Sequence, residues 1–67
     1  MKIILNNRQE EFGKNIMTIR ELLDKKNFTF KMLVIKINNK LVKKEDFDTA
    51  IVRDGDNVDV LHLISGG

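Results

Sequence analysis

Met17-Thr18-Ile19-Arg20-Glu21-Leu22-Leu23 is the stretch that decides the architecture of this chain. Thr18 is a residue type that caps a helix start. Glu21, three residues on, can reach back to the Thr18 amide, the reciprocal arrangement of a capping box. Met17 before the cap and Leu22 after it form a hydrophobic staple that sets the entry angle. Ile19, Leu22, Leu23 and the stem of Lys26 then make a one-sided apolar stripe. The helix is expected to fade near Asn27, a length of little more than two turns, too short to hold its shape alone in water. It has to lie on a sheet.

The flanking segments supply that sheet. Lys2 to Leu5 is a short β-rich run ended by Asn6-Asn7, a pair suited to a tight turn. Arg8 to Phe12, polar except for Phe12, reads as an edge strand folding back on the first, and Gly13 punctuates the chain. Leu33 to Asn38 alternates, with Leu33, Ile35 and Ile37 on one face and Val34, Lys36 and Asn38 on the other. Asn38-Asn39-Lys40 reads as a hairpin turn into a short strand at Leu41-Val42. Lys44 to Phe47 reads as a single helical turn that seats Phe47 in the core. Arg53-Asp54-Gly55-Asp56 is a turn with Gly55 at a position of positive φ, and the last strand is expected from Val58 to Ile64. This order predicts an α+β fold, one helix packed on a mixed sheet of four or five strands. The order alone leaves open whether the first and last strands lie side by side and parallel.

Size and composition narrow the function classes. The 67 residues make one domain, 1–67, with residues 65–67 read as a flexible tail. A chain this short buries only about 60% of its unfolded surface, so an efficient layered core is needed. There is no Cys, and therefore no disulfide, no thiolate zinc site and no thiol nucleophile. Twelve basic against ten acidic residues give a net charge of +2, too weak to argue for nucleic acid. Lys36, Lys40, Lys43 and Lys44 cluster loosely, but Glu45, Asp46 and Asp48 follow at once, the pattern of a solvated edge. No apolar stretch approaches the roughly 20 residues of a membrane span. Met1-Lys2-Ile3-Ile4-Leu5-Asn6 is too soon interrupted for a signal peptide, and the expected compartment is the cytoplasm.

Candidate chemistry concentrates after the last strand. Gly66 and Gly67 lack a Cβ and can lie flat in a narrow channel, and the α-carboxylate of Gly67 is the reactive group on offer. Ser65 reads as a spacer, because no base stands near it in sequence. His62 is the one histidine and reads as a structural or surface residue, lacking the sequence partners a ligand or catalyst needs. Asp54 and Asp56 flank Gly55 but fall well short of the about six oxygens a calcium ion takes at minimum, so no metal site is expected. Val58 and Val60 share a face, directed inward against Leu22 and Leu23. Leu61 and Leu63 fall on the opposite face, where alternation predicts polar residues. Either a bulge turns Leu61 inward, or a partner covers an apolar outer face that Ile4 and Val34 extend.

Three stretches taken in order resemble the ThiS/MoaD-type sulfur carrier proteins, bacterial relatives of ubiquitin, across nearly the full chain. Thr18-Ile19-Arg20-Glu21-Leu22-Leu23 is similar to the helix start of that family. Ile37-Asn38 followed by Lys40-Leu41-Val42 is similar to its strand and turn, and Asp54-Gly55-Asp56 with Val58, closing on Ser65-Gly66-Gly67, to its ending. The Cys-free, Pro-free form is most similar to the thiamine-pathway members. A few residues more than the family pattern, near Asn15-Ile16, are expected to lengthen one loop.

The resemblance implies a β-grasp fold with parallel first and last strands, and a carrier rather than an enzyme. It implies that an adenylating, E1-like partner holding ATP and Mg²⁺ activates the Gly67 carboxylate, while the chain itself binds no cofactor. A persulfide made by a cysteine desulfurase would then leave a thiocarboxylate, and thiazole synthase would accept the sulfur. Leu61, Leu63, Ile4 and Val34 would dock on the adenylating partner, beside the tail of Ser65, Gly66 and Gly67. A carrier for molybdopterin or tRNA thiolation, and a ubiquitin-like modifier or interaction module, are the alternatives, separated by the partner.

Overall fold

The computed structural model describes residues 1–29 and 31–63. Helix α1 spans Ile19–Lys25, and its capping box forms: Thr18 Oγ1 accepts from the Glu21 amide at 3.1 Å while Glu21 Oε1 accepts from the Thr18 amide at 3.1 Å. The Lys14 ammonium pairs with the other Glu21 oxygen. That hydrogen bond, joined by the Thr18 amide, holds the Glu21 carboxyl below its ordinary value. Ile19, Leu22 and Leu23 are buried, as the stripe predicts. Lys26 ends the helix with Nζ 3.0 Å from Glu10 Oε2, and Asn27 turns the chain with φ 60°.

Among the described residues seven strands accompany the helix: β1 (Lys2–Leu5), β2 (Arg8–Glu11), β3 (Ile16–Thr18), β4 (Leu33–Ile37), β5 (Lys40–Val42), β6 (Ile51–Arg53) and β7 (Asn57–His62). A 3-10 turn at Lys44–Asp46 brings Phe47 into the core, where it is 4% exposed. The main sheet has five strands in the order β2-β1-β7-β4-β5. β1 and β7 are neighbours and parallel, and β7 pairs antiparallel with β4 on its other side. This is the β-grasp arrangement, one helix on a mixed sheet. Two-residue loops close both hairpins, with positive φ at Asn6 and Asn7 and again at Asn38 and Asn39. Positive φ at both loop residues is the type I′ geometry, whose twist matches that of the flanking strands.

A second, two-stranded sheet differs from the sequence expectation. β3 pairs antiparallel with β6, Met17 opposite Val52, and both side chains are buried in the common core. Ile16, expected in a longer loop, pairs instead with Arg53. The loop before β6 also serves the helix: Ile19 and Arg20 donate their amides to the carbonyls of Ala50 and Phe47 at 3.0 and 2.9 Å. These are two of the orphan N–H groups that every helix start must place. The last strand also shifts, from the expected Val58 start to Asn57 and ending at His62 within the described residues. The expected end at Ile64 lies outside them.

Thr18→Ala removes one half of the capping box. It is expected to cost about 1 kcal/mol, read as a fall of roughly 4–8 °C in the thermal midpoint. The lowered Glu21 carboxyl adds a pH dependence. Its contribution is fully present above its unfolded value and is lost as pH falls through the lower, folded one. Melting curves of Glu21→Gln against wild type will show a stability difference at neutral pH that closes on acidification. A gap independent of pH would assign the loss to packing.

Candidate functional site

β7 carries the core on one face and an apolar surface on the other. Val58 and Val60 are buried, while Leu61 is 52% exposed. The β4–β7 register runs unbroken from Ile37 opposite Val58 to Leu33 opposite His62. No bulge turns Leu61 inward. The apolar outer face foreseen as one of two arrangements is the one the chain adopts.

The pairing groups the candidate residues unequally. Val34, half-buried, lies directly opposite Leu61, at a distance where side chains on one face of a sheet touch. The Leu63 amide donates to the Met32 carbonyl at 2.9 Å, which extends the pairing by one residue and sets exposed Met32 beside exposed Leu63. Leu61, Leu63 and Val34 are thus neighbours. Ile4 also faces outward, but it is in register with Asn57, four residues before Leu61 on the same strand. At strand rise this places Ile4 about 13 Å away, with Asp59 on the outer face between them. Ile4 does not extend the Leu61 patch.

Leu41 does extend it. It lies opposite Lys36 and diagonal to Val34 on the outer face, with 63% of its surface exposed. Sequence reading treated Leu41 only as part of a short strand. Its face could have been found from the two-residue Asn38-Asn39 loop, which dictates the register of the hairpin. Covering one Leu completely is worth about 1.5–3 kcal/mol. A patch with three half-exposed leucines therefore offers a partner a few kcal/mol. Lys36 and Asp59, opposite each other on the same face, add a polar rim of both signs.

The polar candidates serve the turns. Asp54 Oδ1 accepts from the Lys2 amide at 2.6 Å. Asp56 accepts from the Arg53 amide at 2.8 Å and from Asn38 Nδ2 at 3.1 Å. His62 is exposed at the end of β7, opposite Leu33. Among the described residues no polar or charged residue is buried, and no three His, Asp or Glu side chains gather as metal ligands would. Ser65, Gly66 and Gly67 follow β7 in sequence and lie outside the described residues.

Known proteins place this geometry. The family model described as the ThiS family matches residues 3–67. The sulfur carrier protein ThiS of Bacillus subtilis is 25% identical over 63 residues, covering 94% of this chain and 96% of that protein. The "Uncharacterized protein ycf40" of Trieres chinensis is 24% identical over 66 residues, covering 98% of this chain and 90% of that protein. The crystal structure of the thiamine biosynthesis protein ThiS from Geobacter metallireducens superposes with a TM-score of 0.89 at 26% identity, covering both chains completely. A fold shared from end to end, with a family match that reaches the final glycine, leaves one assignment: this chain belongs to the ThiS family.

Proposed function

We propose that this chain is a sulfur carrier of thiamine biosynthesis, whose Gly67 carboxylate is converted to a thiocarboxylate by partner enzymes. The observation that carries the reading is the family match over residues 3–67, which takes in the diglycine end. The names of the Bacillus subtilis and Geobacter metallireducens proteins point the same way.

A carboxylate is a poor acyl donor, because neither oxygen is a leaving group. An adenylating, E1-like partner removes that obstacle: a Gly67 oxygen attacks the α-phosphorus of ATP, pyrophosphate leaves, and an acyl-adenylate forms. The ATP and Mg²⁺ belong to the partner. A persulfide, made by a cysteine desulfurase, attacks the acyl carbon through its terminal sulfur, and AMP departs. A second thiol then cleaves the S–S bond of the acyl disulfide, becoming oxidised to a disulfide as the thiocarboxylate is released on Gly67. That sulfur is the nucleophile handed to thiazole synthase.

This chain contributes the handle. Gly66 and Gly67 suit a channel too narrow for side chains, and Ser65 is the spacer that precedes them in sequence. Leu61, Leu63 and Val34, with Leu41 added, form the docking face, and Ile4 stands as a separate outlying contact. A docking face on the strand that precedes the tail in sequence holds the carboxylate at high effective concentration in the partner's site.

Intact-protein mass spectrometry after incubation with ATP, an adenylating enzyme of this family, a persulfide source and thiol tests the chemistry. The expected result is a mass gain equal to the exchange of one oxygen for sulfur, lost on deletion of Gly67 with the thermal midpoint unchanged. A midpoint that collapses with the deletion would make the tail structural and the reading wrong. Leu61→Glu tests the surface. Its exposure predicts a stability change within about 0.5 kcal/mol and a loss of at least about 1 kcal/mol in affinity for the adenylating enzyme. Equal affinity for both forms would remove Leu61 from the docking face.

A further inference from the structure

The parallel pairing that joins the two ends of the chain stops before β7 does. Its register covers Ile4 opposite Asn57 and Leu5 opposite Val58, and the Asn6 amide adds a bond to the Val58 carbonyl at 3.0 Å. Asn6 then takes φ 49° and the backbone turns away into β2. From that point β7 continues with β4 on one flank, while β1 has left the other.

The side chain of Asn6 fills the vacated place. Its Oδ1 accepts from the Val60 amide at 2.8 Å, and its Nδ2 donates to the Val60 carbonyl at 3.1 Å. A carboxamide carries the same donor and acceptor as a peptide group, so one side chain supplies an extra rung to a parallel ladder. The requirement is specific. A type I′ loop accepts Asn, Asp or Gly at this position. Of these, Asn alone brings both a donor and an acceptor.

We infer that Asn6 is a positioning residue for the docking face, acting through Leu61. By holding the N–H and the C=O of Val60, it sets the two peptide planes that flank that residue. With them is set the outward direction of Leu61. The inference rests on the carrier reading above. A docking residue already held in place loses less freedom when a partner covers it, so the bond acts on capture of the carrier and leaves the chemical step alone.

Asn6→Gly is the test, because Gly keeps the positive φ of the loop and removes only the carboxamide. Two readouts are needed. Hydrogen exchange at the Val60 amide is expected to rise at least tenfold while the Lys26 amide, at the end of α1, is unchanged. In ATP–pyrophosphate exchange with an adenylating enzyme of this family, KM for the carrier is expected to rise severalfold with kcat within a factor of two. An unchanged KM would overturn the positioning role. A uniform rise in exchange across the chain with a lowered melting midpoint would overturn it too, because the bonds would then serve stability alone. Wild-type protein that supports no exchange would overturn the carrier reading itself. That failure is recognisable because it needs no substitution.

Discussion

Everything in this fold hangs on β7. It is bonded to β1 on one side and β4 on the other, so it is the strand that makes one sheet of two hairpins. Remove it and what remains is a β1–β2 hairpin and a β4–β5 hairpin, each marginal in water on its own. The seven-residue helix is no more independent. Each piece becomes stable only when Val58 and Val60 close the core over Ile3, Leu5, Ile35 and the helix stripe. The parallel contact itself is short, two register pairs between opposite ends of the chain. Burial beneath the strand holds it.

Both hairpin turns reach back to that strand. Each turn begins with an asparagine in the left-handed region, and each of those side chains bonds to β7. Asn38 Oδ1 accepts from the Asn57 amide at 2.9 Å and its Nδ2 donates to Asp56 Oδ1 at 3.1 Å, which secures the start of the strand. Asn6 takes both backbone groups of Val60 further along. The turn residues are therefore doing two jobs. Their backbones reverse the chain, and their side chains clasp the central strand from opposite flanks, where the ladder would otherwise end. A glycine would manage the first task and fail the second.

The same strand divides the core from an exposed apolar surface. Side chains alternate across a sheet, so each change along β7 falls on one face or the other. The inward residues hold the domain together. The outward residues, Leu61 with Val34 and Leu41 beside it, are spare as far as folding is concerned. In the function proposed above partners carry out the chemistry, and a surface of this kind would serve to bind them. On that proposal the surface lies on the strand that precedes the glycines in sequence, which would link docking to delivery.

The parts legible in sequence were those made by near neighbours. The capping box, the staple and both asparagine loops are contacts within a few residues, so their residue types announce them. The inward face of β7 was equally plain, because its period of two survives without knowledge of its neighbours. The β3–β6 sheet was not legible: three residues at Ile16–Thr18 meet three at Ile51–Arg53, and segments so short carry no period of their own. Alternation put Ile4 and Leu61 on the outer face, but the stagger of the parallel pair parts them. Alternation alone could not choose between a bulge and an open surface at Leu61, either. By itself the sequence determined the local elements and the faces of the strands, since both follow from bonds and sterics along the chain. Which strands meet, at what offset, and hence which outward side chains form one surface, was decided by tertiary pairing. That offset belongs to two strands at once, and neither strand encodes it alone.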